Sequence, residues 1–413
     1  MRLLITLLLC LATAAPTFAQ IGPEVTAWKV NVTGATGYAN IPSNVQQVQY
    51  SATQVYVSAT CIPGYSIGPW AGNPNTPRNQ NFVFKIARQP QPNTGTLTAN
   101  GLGHIGVWTN GVSIFNAKDA FSYNNQGKWN QDAYVFEGAS FDDCLGHPAP
   151  NGEYHHHINP ACLYTTADTL NHSPIIGYAF DGFPVYGASG YADTLGGGGI
   201  RRIRTSYRLR NITSRTTLPD GTVLPANQYG PAFSGRYTLG AYVEDYEFVA
   251  GHGDLDKHNG RFCITPEYPN GTYAYFVTVN SALRPQYPYA IGPFYYGRVQ
   301  AGNTGPQGGH VVISEPVTTY NPATATAPLA SSSLHFKLWP NPATDAAFLH
   351  LDAIAANNFT LKLIDAQGKI AYTQINIQPT ITYTIPMQAL RPGLYQLQLA
   401  NATQTTYTRL VKI

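Results

Sequence analysis

Three histidines stand in a row at the end of Asn151-Gly-Glu-Tyr-His-His-His157, and their spacing is what could do chemistry. An Asn-Gly turn signal followed by Tyr predicts a strand leaving a turn. Alternate side chains of a strand share a face, so His155 and His157 should point one way and His156 the other. Two imidazoles on one face of a rigid strand make the first half of a metal site. His172 is the third expected ligand. Three imidazoles with one open position suit catalytic zinc or copper better than a closed structural site. Neutral imidazole is the binding form, so affinity should weaken as pH falls through about 6. By alternation Glu153 shares the ligand face and is a candidate ligand or general base. Asp181 and Asp143 are the nearest carboxylates that could accept the ligands' other ring N–H, and Asp181 is a second catalytic candidate. The competing reading is a polar strand whose histidines are satisfied by backbone carbonyls.

Further candidates lie outside this run. His147 stands shortly before it, and Gly251-His252-Gly-Asp254-Leu-Asp256-Lys-His258-Asn259 forms another cluster. Asp254 and Asp256 with Asn259 offer oxygens of the kind calcium takes, but without the spacing or closing Glu of an EF-hand. A turn held by Asx hydrogen bonds is the expected use of that run. Ser173 beside His172 makes no nucleophile, since Gly-x-Ser-x-Gly is absent and adjacency in sequence is not a triad.

The elements that must hold these groups are strands. The 413 residues include 39 Gly, 31 Pro and 28 Tyr, with only 11% charged residues, which suits short strands broken by tight turns. Expected strands include Thr26–Thr33, Gln54–Cys61, Asn81–Ala87, Gly106–Phe115, Tyr273–Val279 and His310–Ser314, with one short helix over Ala117–Asn125. The fold class is therefore mainly β. Asn270-Gly-Thr-Tyr-Ala-Tyr-Phe276 repeats the Asn-Gly-x-Tyr of Asn151–Tyr154. If this is an internal repeat, two similar strands lie close together and only one supplies ligands.

Met1-Arg2, the apolar Leu3–Thr13 and small residues through Ala19 read as a secretory signal, residues 1–19, with the mature chain starting at Gln20. No later segment is long and apolar enough to span a membrane. Four cysteines then remain, and an exported chain favours two disulfides, with three pairings open. Cys144 and Cys162 bracket the histidine run and would staple its ends, which would also hold His172 near; Cys61 with Cys263 is left by elimination. The net charge of +3 and the lone basic cluster Arg201-Arg202-Ile203-Arg204 argue against nucleic acid as a partner.

The chain divides into a large β-rich domain over 20–317, a Pro/Thr/Ala/Ser linker over 318–333 and a compact block over 334–413. In that block Ala347–Leu351, Thr360–Ile364, Ile381–Ile385, Leu394–Leu399 and Thr406–Ile413 read as strands, and Asp365-Ala-Gln-Gly368 as a hairpin turn. Some eighty residues with about six or seven such strands predict a small immunoglobulin-like β-sandwich.

Leu338-Trp-Pro-Asn-Pro342, Leu363-Ile-Asp-Ala-Gln-Gly-Lys369, Leu390-Arg-Pro-Gly-Leu-Tyr395 and Arg409-Leu-Val-Lys-Ile413 make the last block resemble the type A sorting domain of the Bacteroidetes type IX secretion system. The resemblance implies that this machinery is a partner, and that the protein is secreted or held at the cell surface. In the large domain, Tyr154-His-His-His157, His172-Ser-Pro174, Ile176-Gly-Tyr-Ala-Phe-Asp-Gly-Phe-Pro184, Gly253-Asp-Leu-Asp256 and Asn259-Gly-Arg261 are similar to the YHYH domain family. One departure is that His156 replaces the second Tyr of the Tyr-His-Tyr-His motif, while both alternate histidines are kept. What the resemblance implies is metal binding, with no settled activity.

Two functions follow from these residues. One is an extracellular metal-binding protein, hydrolytic or oxidative if it is an enzyme. The other is a surface adhesion or glycan-binding protein with structural histidines, for which Trp70, Trp108 and Trp129 would be stacking platforms. Convergence of the histidines favours the first, and exposed aromatic platforms the second.

Overall fold

The computed structural model describes residues 21–305, 308–322, 336–351, 358–365, 369–378, 381–400 and 405–413. The expected signal segment with its Gln20 start, most of the linker, and the turn at 366–368 lie outside the described residues. The chain separates into two compact units, Met1–Tyr320 and Asn321–Ile413. Both are mainly β, as the turn-rich composition implies.

In the first unit, β1 (Val45–Tyr50), β2 (Gln54–Ala59) and β3 (Phe82–Ala87) form an antiparallel sheet. Thr318–Thr319 adds to its edge against β1, so residues assigned to the linker by composition still belong to this unit. The segment Thr26–Thr33, expected as a strand, instead begins with a one-turn helix at Pro23–Thr26, where Pro pre-sets the first helical turn.

The large sheet holds eight strands: β4 (His104–Trp108), β5 (Ser113–Phe115), β6 (His147–Pro148), β7 (Tyr154–His156), β8 (Ile175–Ala179), β9 (Pro184–Tyr186), β10 (Gly260–Cys263) and β11 (Thr272–Phe276). Their spatial order is β10-β11-β9-β8-β4-β5-β7-β6. This order reads the same from both ends. β4–β5 and β8–β9 are antiparallel hairpins, β5–β7 and β9–β11 are parallel pairs, and β7–β6 and β11–β10 are antiparallel again.

The correspondence holds residue by residue. Gly106 pairs with Ile114 and Gly177 with Val185, and each hairpin carries a register shift just before that glycine. Thr109 N–H donates to Ile176 O at 2.8 Å, and reciprocally Phe180 N–H donates to Ile105 O at 3.2 Å. At the centre Val107 pairs with Tyr178, which places a local two-fold relation there. Both central glycines are required. A Cβ on Gly106 would stand 2.7 Å from Tyr178 O, and one on Gly177 would stand 2.9 Å from Val107 O. The Asn-Gly-x-Tyr echo is thus one fragment of a duplicated unit. Its two strands share a sheet but lie near opposite ends, not side by side as the sequence suggested.

The two copies differ in what they insert between their second and third strands. The first inserts residues 116–141. These contain the ladder of Lys118–Ser122 with Asn130–Asp132 and the one-turn helix Ala133–Phe136. The short helix expected over Ala117–Asn125 is therefore a strand followed by a single turn at Tyr123–Asn125. The second copy inserts a longer segment built on Arg215, which is fully buried and paired with Asp245 at 2.7 Å. That segment braces the first insertion. Asp132 N–H donates to Ala241 O, the Asn130 side-chain amide donates to Glu244, and Trp129 packs in one cluster with Tyr242.

The C-terminal unit has a three-stranded sheet, Phe336–Trp339, Ala346–Leu351 and Thr382–Pro386, and a four-stranded sheet, Phe359–Ile364, Ile370–Ile377, Gly393–Ala400 and Thr405–Lys412. Alternating residues of both sheets, among them Leu349, Leu351, Leu361, Leu363, Leu397 and Leu399, share one core. The in–out alternation along Ala346–Leu351, Phe359–Ile364 and Gly393–Ala400 is why these strands are legible from sequence.

Candidate metal centre

β6 and β7 form a hairpin closed by a turn in which Ala149 N–H donates to Glu153 O and Gly152 N–H donates to Ala149 O. This pairing puts His147 directly opposite His155. His157 follows on the same face as His155, as the two-residue period requires. The three Nε2 atoms converge: His147 to His155 is 3.0 Å and His155 to His157 is 3.1 Å. All three side chains are buried, and together they form the cluster able to coordinate a metal ion.

The tautomers follow from the partners. His155 Nδ1 lies 3.0 Å from Glu153 O and His157 Nδ1 lies 2.6 Å from Asn116 O. A carbonyl can only accept, so both Nδ1 atoms carry the proton. His147 Nδ1 lies 2.7 Å from Ser140 Oγ, whose own hydrogen is donated to Glu137 O at 2.8 Å. That hydroxyl therefore accepts, and His147 is protonated at Nδ1 as well. With all three rings neutral, their Nε2 lone pairs face one another with no hydrogen between them. Electrostatics acts in the same direction. Burial and the neighbouring His157 push His147 down to about 4, and burial with both neighbours holds His155 well below the ordinary histidine value. The donor set fits a divalent metal: three neutral imidazoles, each with its other nitrogen fixed by an acceptor.

Phe115 stacks on His155 at 3.8 Å. The site opens on a cleft of about 590 Å³ whose walls include Leu102, Lys118, Phe121 and Phe136. Glu137 stands at its edge with a side chain 32% exposed, 3.1 Å from His157 Nε2. Glu137 was missed in the sequence because nothing local marks it; the fold alone brings it over the strand.

The remaining candidates fall elsewhere. His172 is not in the cluster: its ring packs against Tyr186, Tyr191 and Phe276. Tyr186 and Phe276 are the duplicated counterparts of Phe115 and His157, so His172 sits at the mirror position in the other half of the sheet. Glu153 does lie on the ligand face, but its carboxylate accepts from Ser113 Oγ at 2.5 Å and lies 2.9 Å from His104 Nδ1. Asp181 also belongs to the other half, accepting from Tyr275 O–H at 2.6 Å and Gly297 N–H at 2.7 Å, with burial raising it to about 6. Asp143 is exposed. His156 points to the opposite face, edge-on to Trp108 and Tyr154.

The calcium reading is corrected by the partners of its oxygens. Asp254 is held by Arg201 through contacts of 2.6 and 2.7 Å. Asp256 accepts from Tyr273 O–H and from the N–H groups of His258 and Gly260. His252 is exposed, and His258 Nδ1 is committed to Phe294 O. Trp108 and Trp129 are buried and offer no stacking face, and Trp70 packs against Tyr38 and Tyr154.

The disulfide expectation divides. Cys144 and Cys162 are bonded, with Cα atoms 5.1 Å apart. Cys61 and Cys263 are free and buried. Cys61 contacts Ser113 of β5 and Tyr154 of β7, whereas Cys263 lies on β10 at the far edge. The several strand spacings between them, roughly 25 Å at about 4.8 Å each, exclude a bridge.

Residues 83–287 match the family model described as YHYH protein, and residues 337–413 match the secretion system C-terminal sorting domain. A search of curated proteins gives no match. Among solved structures, the chain is similar at 12% identity and a TM-score of 0.17 to PorZ of Porphyromonas gingivalis, described as an essential bacterial surface component of the type-IX secretion system. That alignment covers 90% of this chain and 59% of PorZ. The sorting domain makes the secretion machinery a partner of the chain and the cell exterior or cell surface its destination. No described helix is long and apolar enough to cross a membrane.

Proposed function

From a chain that carries a YHYH domain followed by a secretion-system sorting domain, we propose a secreted or surface-held protein whose histidine cluster binds one zinc or copper ion. The observation that carries this is the convergence of three Nε2 lone pairs whose Nδ1–H groups are all committed elsewhere. Uncompensated lone pairs at this distance repel, and a cation relieves that. Imidazole nitrogen is the ligand zinc and copper share. His147, His155 and His157 would hold the ion. When bound, it would supply Lewis acidity toward a molecule in the adjoining cleft, the basis for a hydrolytic or oxidative activity.

Residues 1–19 serve in this reading as the export signal, removed before Gln20. The C-terminal unit is read as an immunoglobulin-like sandwich, supported by the two sheets that share one core.

The test is elemental analysis of the full secreted chain, purified without a histidine tag, beside His155→Ala/His157→Ala. One equivalent of zinc or copper in the wild type and none in the variant is expected. A wild-type protein that holds no metal and takes up none on addition would overturn the reading.

A further inference from the structure

We propose that Glu137 is a fourth protein ligand of the same ion, on the side that faces the cleft. This rests on the metal reading above. Glu137 Oε2 lies 3.1 Å from His157 Nε2 and 3.7 Å from His147 Nε2. Both nitrogens present lone pairs, because their Nδ1–H groups are taken by Asn116 O and Ser140 Oγ. Oε2 is buried and has no hydrogen-bond donor among the described residues. A carboxylate oxygen desolvated against two lone pairs is unfavourable, and a cation between them turns the same arrangement into a coordination shell. The separations agree with this. Neighbouring atoms of the four are 3.0, 3.1, 3.1 and 3.7 Å apart. Atoms about 2.0–2.1 Å from one centre subtend roughly 90–130° at such distances. Glu137 lies outside the set of ligand atoms that all fall within 4.8 Å of one another, His147, His155 and His157, so it joins the ion by a shift of its side chain toward His155.

The local fold explains how an isolated residue reaches the site. The one-turn helix Ala133–Phe136 is capped by Asp132, which accepts from Tyr134 N–H and, at 2.8 Å, from Tyr289 O–H. The chain leaves this helix at Glu137. Its carbonyl accepts from Ser140 Oγ, which in turn orients His147, while its carboxylate faces His147 and His157 directly. One residue therefore contacts the cluster both through its backbone and through its side chain. The three imidazoles are buried, whereas Glu137 is partly exposed on the cleft. It is thus the ligand that can move aside and open a coordination position to a molecule in the cleft.

The experiment titrates Co²⁺ alone into the full chain, with affinity read by chelator competition and geometry by visible absorption. Wild type should take one Co²⁺. Glu137→Gln should bind it at least about tenfold more weakly with an altered absorption band. Glu137→Asp, which keeps the charge but shortens the reach, should also weaken it. Asp119→Asn should not: Asp119 is a buried carboxylate on the same cleft whose Oδ1 accepts from Phe121 N–H. Unchanged affinity and spectrum in Glu137→Gln would overturn the Glu137 assignment and leave the three-histidine reading standing. Equal weakening by Asp119→Asn would also overturn it, by making the effect one of charge at a distance. A wild type that takes no Co²⁺ would overturn both.

Discussion

The two halves of the eight-stranded sheet share a backbone and differ in their use. In one, the face of the outer hairpin carries His147, His155 and His157. In the other, the register-equivalent positions are Arg261, Ala274 and Phe276. The second half has no converging nitrogens and is filled: Arg261 lies over the Phe276 ring at 5.3 Å, and His172 packs edge-on against Tyr186. The comparison separates what the fold needs from what the site needs. Features present in both halves are structural, and features present in one are candidates for function.

The largest expected difference is in metal content. In the same elemental analysis, Arg261→Ala/His172→Ala should retain the full equivalent of metal that His155→Ala/His157→Ala loses. Loss of metal from the Arg261/His172 variant would break the comparison, since it would give the filled half a share in the site.

The disulfide is a second difference. Cys144–Cys162, separated by 18 residues, staples both ends of the histidine strand, and no bridge holds the equivalent segment of the other half. Closing a loop of that length stabilises by about 3 kcal/mol through the unfolded chain. Cys144→Ser/Cys162→Ser should lower stability in denaturant by about that amount and weaken metal binding with it. Full metal affinity in a destabilised variant would show that the bridge serves the fold and not the site.

How much of this was legible in the sequence depended on how local the signal was. In the C-terminal unit alternation reveals five of the seven described strands, and misses Phe336–Trp339 and the largely exposed Ile370–Ile377. The duplication surfaced only as Asn-Gly-x-Tyr, because Ile105-Gly106 with Ile176-Gly177 and Gly111 with Gly182 recur among otherwise different residues. His155 and His157 were legible from the two-residue period. His147 could have ranked above His172, since the Pro-Asn-Gly turn between it and Tyr154 implies a hairpin that places it opposite His155. His172 was misplaced because nearness in sequence was taken for nearness in space. Between His157 and β8 the chain crosses to the other half of the sheet. Glu137 carries no local signature at all; a non-local packing of two insertions puts it there.

The pH dependence of stability gives a smaller difference, located in the filled half. Burial, with the Arg261 charge adding to it, pushes His172 down to about 4, against about 6.5 in an unfolded chain. Between those values the unfolded state binds the extra proton, so stability is lost as pH falls from about 6.5 toward 4. From pH 7 to pH 5 this one ring should account for about 2 kcal/mol. Urea unfolding of the metal-free protein at both pH values measures it, and His172→Phe should lose about that much less than wild type. An equal loss in both would mean that the ring is accessible to protons in the folded state.

The smallest expected effect concerns the tyrosine that opens the Tyr-His-His-His run. Tyr154 O–H reaches both carboxylate oxygens of buried Asp142, at 3.1 and 2.9 Å, and Tyr273 O–H reaches both of Asp256, at 2.9 and 3.0 Å. Each carboxylate also closes the same turn. Asp142 accepts from Cys144 and Gly146 N–H, and Asp256 accepts from His258 and Gly260 N–H. Each turn bends through one left-handed residue, Leu145 or Asn259. The tyrosine therefore belongs to the shared scaffold, although it adjoins a ligand. Removing a hydrogen bond to a charged group costs about 1.5 kcal/mol where other donors remain on the carboxylate. Tyr154→Phe and Tyr273→Phe should each lower stability by that amount, to within a few tenths of a kcal/mol of one another. Neither should change metal affinity, because Tyr154 lies on the face of β7 opposite His155. A drop in metal affinity confined to Tyr154→Phe would move this residue from the scaffold to the site and narrow what the two halves have in common.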